Sequence, residues 1–219
     1  MDPLHLCIDL GPLAMYFLVL GVLNLSSRPF LTTGARDVAA LSLGISGFVA
    51  AGPMELFLPE QAAVEFAPHS WVVWALLLAL YFLGVLLLVL TMRPRLVLYN
   101  TTIEQLRPAL ADVVGRLDGE ARWAGDSLTM PQIGVRLHIE PLVVMKNVQL
   151  IASGPEQNMA GWRKLEGELA VALRKSRGTP NPYGVSLLTF GLAMTALVTY
   201  WLVRDPLGVQ QALNELLRR

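Results

Sequence analysis

Residues Trp71 to Met92, WVVWALLLALYFLGVLLLVLTM, run for twenty-two positions without a charged side chain. At the helical rise this is roughly 33 Å, enough to cover a hydrocarbon core of about 30 Å. Fourteen of these residues are Leu, Val or Phe, so insertion into lipid gains at least roughly 4 kcal/mol. The rest of the chain fits that solvent. Hydrophobic residues make up 54%, charged residues 16%, and the mean hydropathy is +0.51, too few charges for a water-facing surface of ordinary density.

Three more stretches read as spans. Val185 to Val203 is uncharged and nineteen residues long. Val38 to Leu58 is long enough but contains Pro53 and Glu55, which predicts a kinked helix. Gly11 to Leu25 reaches bilayer thickness only if Leu4 to Leu10 joins it, with Asp9 near the headgroups. A cleavable signal peptide is the competing reading of this start. Against it, no Lys or Arg precedes Arg28, and no A-x-A-like site follows the apolar run.

The expected fold is therefore an α-helical membrane protein with four transmembrane helices and a small cytoplasmic α+β domain inserted between the third and fourth. In residue ranges this is a three-helix region over 1–92, a soluble insert over 93–183, the fourth span over 184–204 and an amphipathic C-terminal helix over 205–219. With both termini outside, fourteen of the 17 Lys and Arg fall inside, as the positive-inside rule requires. Trp71, Trp74, Tyr200 and Trp201 then lie at the outer helix ends as an aromatic belt. The absence of cleavable targeting and the short loops favour a bacterial cytoplasmic (inner) membrane.

In the insert, Arg95 to Asn100 reads as a strand, and Thr101 with Glu104 has capping-box spacing. A helix follows with Ile103, Leu106, Leu110, Val113, Val114 and Leu117 on one face and Pro108 as a disturbance; Asp118-Gly119 ends it. Short strands are expected at 121–124, 127–130, 135–140 and 148–152. Val135, Leu137 and Ile139 alternate with Arg136, His138 and Glu140, so one sheet face is solvated. A last helix from about Pro155 to Arg177 is expected to bury Met159, Trp162, Leu165, Leu169, Ala172 and Leu173, which places two helices on one side of a small sheet.

Equal numbers of basic and acidic residues, 17 each, remove bulk attraction to nucleic acid, and one cysteine, Cys7, excludes an intramolecular disulfide. No phosphate-binding, dinucleotide or nucleophile-elbow motif occurs. His5, Cys7, Asp9, Glu55, Glu60, Glu65 and His69 collect at the outer face, but their spacing matches no zinc motif, so no metal and no cofactor are expected there. Gly154-Pro155 opens a helix and so makes an anion site only as any helix start does. Glu55 differs in lying inside an apolar span beside the break at Pro53, and an intramembrane acid is a candidate ion or proton site; the plain reading has it reaching the outer interface. Ser42, Ser46 and Ala50, and Gly191, Thr195 and Thr199, recur every four residues and suit close helix packing. Ser42 and Ser46 with Glu55 form the sharper reading, a polar path. Asn24, near the inner end of the first span, has the chemistry to hydrogen-bond across to a neighbour but is expected to face headgroups, and His138 a solvated strand face. In the tail, Asp205 caps a helix beginning at Pro206, with Val209, Leu213, Leu216 and Leu217 on one face; it lies on the membrane or docks a partner.

Function is then expected to be that of a non-catalytic accessory, assembly or regulatory subunit. Its partners are the lipid bilayer and other membrane proteins, as a homo- or hetero-oligomer, and not nucleic acid. A small-solute or ion carrier using Glu55 and the Pro53 break is the alternative, and an interfacial metal-dependent hydrolase the third class.

Overall fold

The computed structural model describes residues 3–57, 70–142, 146–176, 178 and 180–210. The chain divides into two compact units. One, the sheet unit, comprises Gly21–Asp37 and Met92–Val185; the other, the helical unit, comprises Met1–Leu20, Val38–Thr91 and Ser186–Arg219. In chain order the elements are α1 (Pro3–Leu25), β1 (Phe30–Thr33), α2 (Gly34–Phe57), α3 (Ser70–Thr91), β2 (Arg95–Tyr99), α4 (Ile103–Leu117), β3 (Arg122–Ala124), β4 (Ser127–Met130), β5 (Val135–Leu142), β6 (Asn147–Ala152), α5 (Met159–Leu173) and α6 (Tyr183–Arg204).

The sheet unit is built on six antiparallel strands in the order β1-β2-β6-β5-β4-β3. Register puts Leu96 opposite Leu150, Leu150 opposite Ile139, and Leu137 opposite Leu128. These side chains share one face and are fully buried, with Leu106, Leu110 and Val113 of α4 and Leu165 and Leu169 of α5 packed against them in one core. The reverse face of β5 carries Arg136, His138 and Glu140, all exposed. Period-two alternation thus places β5, and the 3.6-residue period orients α4, despite Pro108 inside the helix.

Helix ends are set by local chemistry. α4 begins one residue later than the sequence spacing suggested: Thr102 occupies the cap, and its N–H donates to Gln105 Oε1 at 3.3 Å, so the box is Thr102–Gln105 rather than Thr101–Glu104. Glu104 lies in the first turn, where hydrogen bonds from the Thr102 hydroxyl and from its own N–H, with a smaller effect from Arg107, hold its carboxyl below the usual glutamate range. α5 begins at Met159, not Pro155, because Asn158 Oδ1 accepts from Ala160 N at 3.0 Å; Met159, expected in the buried stripe, is exposed in this first turn, whereas Trp162, Leu165, Leu169 and Leu173 are buried. Gly161 lets α5 approach the β4–β5 loop; a Cβ there would lie 2.2 Å from the Ile133 carbonyl oxygen.

Four spanning helices with a small inserted domain is the expectation the structure overturns, on two grounds. First, among the described residues two helices are long and apolar enough to cross a membrane: Leu6–Leu25 of α1 and Tyr183–Arg204, which is α6. Within α3, which runs over Ser70–Thr91, the apolar stretch among the described residues is Ala75–Thr91. α2 opens on Arg36 and Asp37, and the side chains of its last turns, Pro53 and Glu55 among them, lie outside the described residues. Second, the α+β part is not a self-contained insert. Its edge strand β1 comes from the stretch between α1 and α2, within the range 1–92 expected to form only the three-helix region, and pairs with β2 from Phe30↔Tyr99 to Thr33↔Leu96.

In the helical unit, α1 and α2 approach closely at glycines. A Cβ on Gly47 would stand 2.2 Å from the Ile8 carbonyl oxygen and 2.5 Å from that of Asp9, and one on Gly44 would stand 2.9 Å from Tyr16 Cβ. α1 also meets α6, with Gly191 against Leu18 and the Phe17 and Phe190 rings edge to face at 5.3 Å.

Candidate functional site

A helix leaves its last four carbonyls without intrahelical donors. In α1 these are met in part by a side chain 77 residues away in sequence: the Asn100 amide donates to the Leu23 carbonyl and to that of Ser26, the latter at 3.2 Å. Asn100 follows β2 with φ +58°, a left-handed conformation that Asn tolerates better than most residues, and it is fully buried. Its other amide atom, Oδ1, is buried without a hydrogen-bond partner among the described residues.

Two further asparagines complete a polar cluster. Asn181, 1% exposed, donates its backbone N–H to the Asn24 carbonyl at 2.8 Å and its amide to Asn24 Oδ1 at 3.3 Å. Asn181 Oδ1 in turn accepts from Tyr183 N at 3.1 Å and so heads α6. Gly178 N donates to the Ser27 carbonyl at 2.9 Å, and a Cβ on Gly178 would lie 2.7 Å from the Asn100 carbonyl oxygen. Thr101 N donates to the Lys146 carbonyl at 3.0 Å, and Lys146 Nζ reaches the Pro180 carbonyl at 3.3 Å. The end of α1, the exit of β2, the start of β6 and the head of α6 are thus joined within the sheet unit by directional bonds. Buried amides are costly unless bonded, so the cluster has few alternative arrangements. None of the three asparagines titrates, and chemically the arrangement is a clamp.

Asn24 is therefore not at a headgroup surface, as its place near a helix end suggested, but 4% exposed inside this clamp. Nothing in the local sequence marked Asn100 or Asn181, because each acts on a partner far away in the chain.

Of the residues singled out from sequence, Ser42 is buried and its carbonyl accepts from Tyr81 O–H at 2.7 Å. Ser46 Oγ returns to the Leu43 carbonyl at 2.8 Å. Thr195 and Thr199 bond back to the carbonyls four residues earlier, each at 2.8 Å, which satisfies their hydroxyls within α6. Gly191 is buried against α1, whereas Thr195 and Thr199 are exposed. The side chains of Glu55, Pro53, Ala50 and His5 lie outside the described residues, as do Glu60, Glu65, His69, Trp71 and Trp74. Asp205 Oδ1 accepts from Gly208 N at 2.9 Å at the start of the tail helix; Leu213, Leu216 and Leu217 lie outside the description. His138 is exposed, with Nδ1 3.1 Å from Ser127 Oγ. Among the described residues no three His, Cys, Asp or Glu side chains are grouped as a metal site.

No protein-family model, curated protein or solved structure matches this chain.

Proposed function

We propose that this protein is a membrane-anchored accessory, assembly or regulatory subunit, without catalytic machinery of its own, that acts through helix packing and its sheet unit. α1 and α6 cross the bilayer, the sheet unit lies on the cytoplasmic side of a bacterial inner membrane, and both chain ends lie outside. One observation carries the reading: the protein keeps two kinds of surface. The sheet unit buries Leu106, Leu110, Leu128, Leu137, Leu150 and Leu165 completely in one core, whereas the helical unit turns large apolar side chains outward, with Leu80 66%, Leu90 72% and Val203 74% exposed. Only 11% of each span-length window is buried within the protein, so these are not the core helices of a water-soluble domain. Lipid or a partner's helices must cover them.

The asparagine clamp supports a mechanical role, since it fixes the ends of both spanning helices to one sheet. Native mass measurement of the full chain in mild detergent tests the proposal. An oligomer, or a stoichiometric complex with a second membrane protein, is expected; a lone monomer under every mild condition contradicts it.

A further inference from the structure

The clamp carries a charge pattern that its hydrogen bonds do not explain. Segments 21–29, 100–103, 146–152 and 174–186, which build it, contain no Asp or Glu. They do contain Arg28, Lys146, Arg174, Lys175 and Arg177, the last outside the described residues. Arg28 follows α1 by three residues and is exposed; Arg174 and Lys175 follow α5 and are exposed. None of these three pairs with a carboxylate among the described residues, although other surface cations do: Arg36 bonds Glu166 at 3.0 Å, and Arg107 pairs with Asp126. The dipole at the α5 C-terminus favours cations, but it accounts neither for Arg28, on another element, nor for the absence of acids from every segment around it.

Gly178 bonded to Ser27 brings the end of the α5 segment onto the end of α1, and Asn181 bonded to Asn24 brings the head of α6 there as well. The unpaired cations therefore gather where both span-length helices have one end. Tyr183, 53% exposed at the first residue of α6, has the amphipathic ring that favours headgroup depth.

We infer that Arg28, Arg174 and Lys175 form a collar that binds the anionic headgroups of phospholipids around the ends of α1 and α6. The inference rests on the membrane reading above and adds to it a chemical preference among lipids. Anionic phosphate supplies the acceptors that the surrounding protein lacks, and guanidinium meets it bidentately. A cation near an anionic surface contributes about fivefold to association at moderate salt, weakening as salt screens it.

The test reconstitutes the full chain into phosphatidylcholine vesicles containing phosphatidylglycerol and measures, with spin-labelled lipids of each kind, which headgroup is enriched in the motionally restricted shell. Phosphatidylglycerol enrichment that falls with added salt is expected, and it should drop by roughly tenfold or more in a triple variant Arg28→Gln, Arg174→Gln, Lys175→Gln. An Arg163→Gln, Lys164→Gln variant, which removes charges elsewhere on α5, should leave it unchanged. If the triple variant does not fold, the wild-type salt dependence and a lysine-for-arginine variant that retains enrichment still decide the matter. Insertion with equal shells of both lipids overturns the collar and leaves the membrane reading standing; failure to insert overturns both. Binding of a polyglutamate peptide to the same residues, without lipid selectivity, assigns the collar to an acidic protein and also overturns the inference.

Discussion

Replacing Asn100 separates the clamp's side-chain chemistry from its backbone geometry. Asn100→Ala removes both amide hydrogen bonds to the end of α1; the Leu23 carbonyl keeps the bond from Ser26 N and loses about 1 kcal/mol, whereas the Ser26 carbonyl loses its Asn100 donor at a cost of about 1–3 kcal/mol. It also forces alanine to hold φ +58°, about 1–2 kcal/mol more. Against this, the buried and unpartnered Oδ1 disappears, returning about 1–3 kcal/mol. At the middle of each range the net loss is about 2–3 kcal/mol, which lowers the melting temperature of a domain this size by roughly 10–20 °C. Asn100→Gly loses the same bonds without the steric strain and should be roughly 1 kcal/mol less damaging. Thermal unfolding of the full chain in detergent, followed through the fluorescence of Trp123 and Trp162 in the sheet unit, reads both. An alanine variant melting within about 2 °C of the parent would show that the amide carries none of the coupling assigned to it.

Two other outcomes follow from the packing and the caps. Gly47→Ala should destabilise the helical unit because its Cβ meets two backbone oxygens that cannot move aside, whereas Gly11→Ala, with open space at the Cβ, should be neutral or stabilising by up to about 1 kcal/mol through helix propensity; equal melting of the two variants would contradict the α1–α2 contact. Thr102→Ala should cost about 1 kcal/mol and move the Glu104 carboxyl back toward the usual glutamate range, seen as an upward shift in its NMR titration. Because the folded pKa of Glu104 lies below its unfolded value, its contribution is present above the unfolded pKa and lost as pH falls through the folded one. An unmoved titration in the variant would remove Thr102 as the cause.

Legibility in the sequence tracked the range of the interaction. The buried stripe of α4 and the alternation of β5 are local, so Leu106, Leu110 and Val113, and Val135, Leu137 and Ile139, fell where their periods put them. The strand β1 did not: FLTT is four residues between Pro29 and Gly34, and its partner β2 lies more than sixty residues on, beyond any local pattern. The cap at Thr102 was ambiguous for a different reason, since adjacent threonines followed by Glu104 and Gln105 offer two boxes one residue apart. The asparagines were the least visible, being single polar residues in loops whose meaning comes only from the chain they meet.

The central claim is that hydrocarbon, not water, surrounds the span helices. Leu192, in the middle of α6, is 60% exposed, and so is well placed to report which solvent it meets. In a Cys7→Ser background reconstituted into vesicles, Leu192→Cys should not react with a water-soluble maleimide until the membrane is dissolved in detergent and the protein unfolded. Glu156→Cys, exposed on the sheet unit, should react in vesicles whenever its side is accessible. Equal labelling of the two cysteines in intact, permeable vesicles would mean that water reaches α6, and the account would fail.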